Sequence, residues 1–465
     1  MGRSLVRSRS RSRLRATRAT AAVTAGAAAL LAFSVGATGT PGTVVASATT
    51  QADALPEPVP AVAGHRLASG MPSVLSTSAC LAQKKIRCYT PLQYRKAYNL
   101  APLYQAGITG RGRTIVIVDS FGSPTVQRDL NIFDKQFGLP DTKVSVVKWG
   151  KVPAFDPKNE DQSGWAGETT LDVEYAHAIA PGARIVLIET AVSETEGTTG
   201  FPEMMSAEKY AIDHHWGDVI SQSFGATENS FPGFGKNGTA SLRQLRYAFT
   251  DAAAKGVTVL GASGDAGATD EMPDNKSYPY RVNSWPSSDP LVTSVGGTRL
   301  TLDDSGRRTA PDVVWNDGFG AGGGGVSGVF ARPSFQNHVA GTTGAHRGTP
   351  DISMSAAVNG AAWVYSSFDP KDVGWGLTGG TSEATPIFSG IVALADQKAG
   401  HRLGLINPRL YALAEHGAAA HGFVDVTGGD NSYSGVKGYP AAKGYDLASG
   451  WGTIDATLFV NALAK

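Results

Sequence analysis

An α/β fold, doubly wound about a mostly parallel sheet flanked by helices, is predicted by two patterns in the sequence. Short unbroken runs of Val, Ile and Leu recur between longer helical stretches, as in Thr114 to Val118 (TIVIV), Arg184 to Ile188 (RIVLI) and Val257 to Leu260 (VTVL). Runs that lack polar alternation belong to strands covered on both faces, and the intervening helices supply the cover. The second pattern is a glycine-rich turn carrying a polar residue at the carboxyl end of such a run, where open α/β sheets place their sites.

Each element follows in order. Val126 to Phe137 repeats apolar residues at helical spacing, and Val144 to Val147 returns to a strand. Glu168 to Ile179 is predicted as a helix, Glu203 to His214 as another, and Asp218 to Ser221 as a strand between helices. Leu242 to Lys255 is predicted helical, and Leu291 to Val295 closes the series as a strand. Glycine, 57 residues in all, concentrates at Gly322 to Gly325 and Gly374 to Gly380. Such stretches either let backbones approach closely or form mobile loops, and composition alone leaves both open.

Residues 1–48 differ from the rest. They hold seven arginines (Arg3, Arg7, Arg9, Arg11, Arg13, Arg15, Arg18), no acid, and an apolar run from Ala21 to Val35, the make-up of a secretory signal with a small-residue cleavage site at Ala46-Ser47-Ala48. The run is interrupted by Gly26 and is short for a membrane span. A secreted, extracellular product follows as the expectation, with no membrane association after signal removal. Of 41 Lys and Arg, 34 then remain against 40 Asp and Glu, a formal charge of about −6. That balance argues against nucleic acid as a partner, because phosphate binding needs clustered cations. Residues 49–89 are predicted to be a short leader of low periodicity, with order beginning near Thr90, so that 90–465 is one domain. Cys80 and Cys88, the only cysteines, are expected to close a local disulfide in an oxidising exterior; two cysteines without further ligands make a poor zinc site.

The sharpest chemical signal is Gly379-Gly380-Thr381-Ser382-Glu383-Ala384-Thr385-Pro386, followed by an apolar helical run. A serine at a helix start lies beside free backbone N–H groups and the positive end of the helix dipole, where an oxyanion is stabilised. Serine is also a common N-cap, so the spacing G-T-S-x-A-x-P has to carry the weight. It resembles the nucleophile segment of the subtilisin and sedolisin peptidases. None of the nine histidines has the Gly-Thr-His setting of subtilisins.

In place of a histidine the sequence offers Glu168 and Asp172, four residues apart, so that on a helix both carboxyls share one face. Two acids so placed share a proton, and one of them titrates high. The segment is similar to the E-x-x-x-D helix of the sedolisins, which implies Glu168 as general base and Asp172 as the residue that orients it. Ser263-Gly264-Asp265-Ala266-Gly267 resembles the sedolisin turn whose Asp, when protonated, donates to the substrate oxyanion. Toward the carboxyl end, Asp425-Val426-Thr427-Gly428 and Ala442 to Gly452 are similar to the sedolisin calcium loops. The resemblance implies a calcium ion (Ca2+) held by Asp425, Asp446 and the carbonyls of Val426, Ala442 and Gly444, an all-oxygen set suited to a hard cation.

With Pro286 to Thr298, Gly323 to Ser327, Pro350 to Ser353 and Thr90 to Asn99, the resemblance covers the chain from Thr90 to Lys465. It implies a subtilisin-like fold and a monomeric peptidase that cleaves protein or peptide substrates at acidic pH with Ser382, Glu168, Asp172 and Asp265. The chain departs from the family in the short segment ahead of Thr90, and in Phe224, which stands where some members carry a tryptophan. Asp119 ends the first strand where the subtilisin triad aspartate would stand. A subtilisin-like Ser-His-Asp enzyme and an inactive binding protein on the same scaffold are therefore the alternatives.

Overall fold

The structure, a computed structural model, describes residues 65–193, 200–235, 239–272 and 276–465. The signal predicted for residues 1–48, and the first part of the leader, lie outside these residues. Among the described residues no helix is long and apolar enough to cross a membrane.

Eight strands form the central sheet. Across it the order is Val313–Val314, Thr293–Arg299, Thr258–Ala262, Val219–Gln222, Thr114–Ser120, Arg184–Thr190 and Val144–Trp149, with Ile352–Ser355 also paired to Thr293–Arg299. Every pairing is parallel except that of Val313–Val314. Strand Thr114–Ser120 is buried throughout, as an unbroken TIVIV run requires. Its alternate side chains serve opposite faces. Ile115 and Ile117 join a core with Leu171, Ile387 and Ile391, while Val116 and Val118 join a second core with Met204, Met205 and Phe249. Each such side chain contributes about 1.5–3 kcal/mol on burial, and the two-sided pattern fixes the strand in the middle of three layers.

Helices bound these layers with local signals. Val126–Phe137 buries Val126, Leu130, Phe133 and Phe137 and ends on Gly138 at φ 64°, the left-handed cap that glycine adopts without strain. The helix predicted from Glu168 starts earlier and spans Glu160–Ile179. Asn159 caps it by accepting a hydrogen bond from the Gln162 N–H, and its first turn is polar, without the apolar period that signals a helix. The stretch 242–255 breaks into Ala240–Gln244 and Tyr247–Lys255.

A second sheet was not legible in the sequence. Its order is His65–Met71, Gly374–Gly379, Ala361–Ser366 and Cys88–Tyr89. The glycine-rich stretch Gly374 to Gly380, which composition left between loop and close-packed backbone, is therefore mostly a buried strand leading into Ser382. This sheet also corrects the placement of order at Thr90. His65–Met71 pairs antiparallel with Gly374–Gly379, Cys88–Tyr89 pairs with Ala361–Ser366, and Cys80, Cys88 and Tyr89 are fully buried. Backbone pairing holds the first segment in place where its own side chains give little apolar signal, so residues 65–89 belong to the folded body. Cys80 and Cys88 are joined in a disulfide, Cα atoms 5.9 Å apart.

Candidate active site

Helix Thr381–Ala399 begins where strand Gly374–Gly379 ends, and Ser382 is its second residue. The junction residue Gly380 has φ +121°, and a Cβ there would lie 2.7 Å from Asp265 Oδ2. Only glycine lets the chain turn this sharply against that carboxyl. The helix lies along Glu160–Ile179 in close contact, which Gly390 permits: a Cβ at that position would meet Ile179 Cβ at 2.7 Å. The helix bearing Ser382 and the helix bearing Glu168 and Asp172 are thus packed on each other, 210 residues of sequence after the latter pair. Ser382 is fully buried, and its Oγ makes no hydrogen bond.

Asp265 follows strand Thr258–Ala262 and reaches the same point. Its Oδ1 accepts hydrogen bonds from the Thr381 backbone N–H at 2.7 Å and from Thr381 Oγ1 at 2.8 Å. Thr381 therefore ties the Asp265 turn to the residue beside Ser382. The Thr381 hydroxyl and the Gly264 backbone also face each other, at 3.2 Å from the Gly264 N–H and 3.3 Å from its carbonyl.

Glu168 and Asp172 share one face of their helix and interact electrostatically. Burial is the largest cause holding Asp172 well above the usual carboxylate range, and the nearby Asp119 and Glu168 carboxyls add to it. Ser223 Oγ donates to Asp172 Oδ1 at 2.8 Å and works in the opposite direction. Behind it Asp119 is pushed up to about 7, chiefly by burial, with the Thr169 hydroxyl opposing and Glu189 reinforcing the shift. Glu168 also borders a small cavity of about 90 Å³ lined by Gly164, Leu171, Val364, Ser366 and Thr378 among others. Thr378 and Val364 belong to the second sheet, so this hollow lies between the acid-bearing helix and the strand that leads to Ser382.

Thr381 therefore brings Asp265 beside Ser382, and Glu168 and Asp172 lie on the helix packed against Ser382's own. The sequence did not single out Ser223 or Thr381. Ser223 lies beside Phe224 in the segment Ser221-Gln222-Ser223-Phe224-Gly225, and a lone serine there carries no signal of its own. Phe224 is buried against Phe201, with ring centroids 6.1 Å apart. Of the histidines with described side chains, five are engaged elsewhere, and His215, His346 and His416 are exposed whereas Ser382 is buried. His177 is buried with its Nε2 2.9 Å from the Pro140 carbonyl and 3.3 Å from Asp134, His214 stacks on Tyr210, His338 pairs with Glu415, and His401 and His421 bond local carbonyls.

At the predicted calcium loops, the Gly444 N–H donates to Asp425 Oδ2 at 3.0 Å and the Ala442 N–H donates to Asp446 Oδ2 at 2.8 Å. Asp446 Oδ1 accepts from the N–H groups of Ala448 and Ser449. The two aspartates are thereby gathered with residues 442–446 into one loop cluster, and among the described residues none of the loop backbone hydrogen bonds ends on the Val426, Ala442 or Gly444 carbonyl. Oxygen donors dominate, as Ca2+ prefers. Among the described residues no group of three or more His, Cys, Asp or Glu side chains could hold a metal, so carbonyls would have to supply much of the shell.

A fold with this order of parallel strands and a serine at a buried helix start defines a class, and the comparisons agree. The model of the subtilase family matches residues 158–445, and the chain belongs to that family. Kumamolisin of Bacillus sp. (strain MN-32) is 33% identical over 354 residues, covering 74% of this chain and 57% of its own length. Sedolisin of Pseudomonas sp. (strain 101) is 30% identical over 392 residues, covering 82% of this chain and 62% of its own. The solved structure of Pseudomonas sedolisin, a serine-carboxyl proteinase complexed with pseudo-iodotyrostatin, superposes with a TM-score of 0.68 at 29% identity over 81% of this chain and 98% of that one. Within the subtilases, the chain is thus similar to kumamolisin and sedolisin. It spans about three fifths of the length of the two curated relatives.

Proposed function

We propose that this chain is a secreted serine-carboxyl peptidase that hydrolyses peptide bonds in protein or peptide substrates at acidic pH. The observation that carries the reading is the bonding of Asp265 to Thr381, directly beside a buried serine whose helix packs against the helix bearing Glu168 and Asp172. Ser382 Oγ attacks the scissile carbonyl, Glu168 takes its proton, and Asp172, held by Ser223, orients Glu168. The tetrahedral intermediate then expels the amine, which receives the proton from Glu168, and water releases the acyl group by the same steps in reverse. Asp265 Oδ1 is already an acceptor twice over, so an acid proton on Asp265 belongs on Oδ2. From there it supports the developing oxyanion, where an ionised carboxyl would repel it. The engagement of His177, His214, His338, His401 and His421 elsewhere, and the exposure of His215, His346 and His416, support this reading over a Ser-His-Asp enzyme with Asp119.

Activity is expected to describe a bell on the acid side when kcat/KM is followed across pH on a mixed peptide library, with cleavage sites read by mass spectrometry. The acid limb reports protonation of the base, and the alkaline limb reports loss of the protons shared by Glu168 and Asp172 and carried by Asp265. Asp265→Asn keeps an oxygen for the two Thr381 bonds and a donor at every pH. It is expected to retain part of the activity and to move the alkaline limb upward. A limb that stays fixed in an active variant would leave Asp265 as a turn residue only, and a neutral-to-alkaline optimum for the parent protein would favour a histidine mechanism.

The residues at the carboxyl-terminal loops fit a calcium ion, with Asp425, Asp446 and the carbonyls of Val426, Ala442 and Gly444 as holders. There the ion would cross-link two loops and have no part in the chemistry. Because it would bind only the folded chain, exhaustive chelation is expected to lower Tm, and added Ca2+ to restore it in proportion to the logarithm of its concentration. A Tm indifferent to chelation and to added Ca2+ removes the ion from the account. Signal removal and secretion rest on residues 1–48; N-terminal sequencing of the exported protein tests them.

A further inference from the structure

Directly after Ser382, where the motif needs no particular side chain, the chain carries Glu383. It is fully buried, and neither carboxyl oxygen makes a well-aligned hydrogen bond. The hydroxyls of Tyr94, from helix Pro91–Ala97, and of Ser355, from strand Ile352–Ser355, lie against it, with Tyr98, Tyr89 and Tyr175 beyond. The charged groups near this cluster lie against its outer tyrosines: Arg308 stands over the Tyr98 ring at 5.4 Å and pairs with Asp312, and Arg87 acts on Tyr89. Tyr94 donates to the Gly360 carbonyl at 3.1 Å, Ser355 Oγ lies 3.5 Å from the Tyr94 oxygen as its donor, and Tyr175 donates to the Trp363 carbonyl at 3.0 Å. Tyr98 Oη accepts from the Ser355 N–H at 2.7 Å. With its proton on the Gly360 carbonyl, Tyr94 turns a lone pair to Glu383, which a carboxylic acid can donate to; turned toward Glu383 instead, the Tyr94 and Ser355 hydroxyls oppose the effect of burial.

We propose that Glu383 is a positioning residue for the nucleophile: as a neutral acid it donates to Tyr94 and so ties the first turn of the helix bearing Ser382 to helix Pro91–Ala97 and strand Ile352–Ser355, and its ionisation releases that turn. This rests on Ser382 being the nucleophile. Burial pushes the Glu383 carboxyl up to about 8, which keeps it protonated throughout the acid range. The helix dipole favours the anion at this position, but an uncompensated buried charge outweighs it.

Glu383→Ala is expected to lower kcat about tenfold or more with KM nearly unchanged, since a displaced nucleophile loses rate before it loses binding. Glu383→Gln, which keeps a donor toward Tyr94, is expected to restore most of the loss. Tyr94→Phe should resemble Glu383→Ala, and the double variant should be no worse than either single one. A separate readout is the pH at which the protein loses activity irreversibly after a neutral-to-alkaline incubation and return to acid. For Glu383→Gln that midpoint is expected to rise by about half a unit or more. Additive losses at Glu383 and Tyr94, no rescue by Gln, or an unmoved midpoint would each overturn the positioning role. If the parent protein cleaves no peptide, the proposed function falls and this role falls with it; if the parent cleaves and the variants fail these tests, only this role falls. Should Glu383→Gln not fold, the Tyr94 and Glu383→Ala cycle decides alone.

Discussion

Ser382→Ala is expected to remove at least about four orders of magnitude from kcat/KM while leaving the fold as stable as before or slightly more so. The first half follows from the proposed role of Ser382 as nucleophile, without which oxyanion support and substrate binding would sustain only residual turnover. The second follows from a structural detail. Ser382 Oγ is buried without a hydrogen bond, and an unpartnered hydroxyl costs about 1–3 kcal/mol of desolvation that alanine does not incur. Measuring peptide cleavage and thermal unfolding on one preparation checks both halves. A variant with parental activity would refute the nucleophile, whereas a variant with lost activity and a sharply lower Tm would show that misfolding, and not missing chemistry, explains the loss.

Stability is expected to be greatest in acid and to fall steeply toward neutral and alkaline pH. Burial raises Glu208, Asp270 and Glu383 each to about 8 and holds Glu174 well above the carboxylate range, while Asp396 is raised to about 7. The folded chain therefore keeps protons that the unfolded chain gives up near pH 4. The stabilisation is complete below that pH. It declines as pH rises through the window from about 4 to about 8, because there the unfolded state binds fewer protons than the native one. At 1.36 kcal/mol per unit, a single group among Glu208, Asp270 and Glu383 represents about 5 kcal/mol at the upper end, comparable with the whole net stability of many domains.

Carboxylates with the opposite tendency cannot offset this. Asp213, Asp303, Asp304 and Asp430 are lowered by their partners, but they are exposed or half-buried at the surface, where such interactions contribute little. Unfolding scans from pH 3 to 9 are expected to show Tm near its maximum around pH 4 and more than about 10 °C lower by pH 8. A flat profile, or one rising toward neutral pH, would mean that these acids ionise without penalty.

Several features of this protein were determined by the sequence alone, and the reason is that their signals are local. Unbroken Val and Ile runs dictate buried strands whatever lies around them, so Thr114–Ser120 and Arg184–Thr190 were legible. Val126–Phe137 was legible from its four-residue period. Glu168 and Asp172 were recognisable as a pair because four residues on a helix place two side chains together without help from the rest of the chain. Only the tertiary structure decided the rest. Strand Gly374–Gly379 is built from glycine, with no branched residue to announce it, and exists because His65–Met71 and Ala361–Ser366 bond to its two edges. The two hydrogen bonds from Thr381 to Asp265 join positions 116 apart in sequence, and no local pattern encodes that meeting. Glu383 is the sharpest case: a helix-start glutamate looks like a solvated, dipole-matched residue, and only the packing of tyrosines from three other elements turns it into a buried acid that must hold its proton.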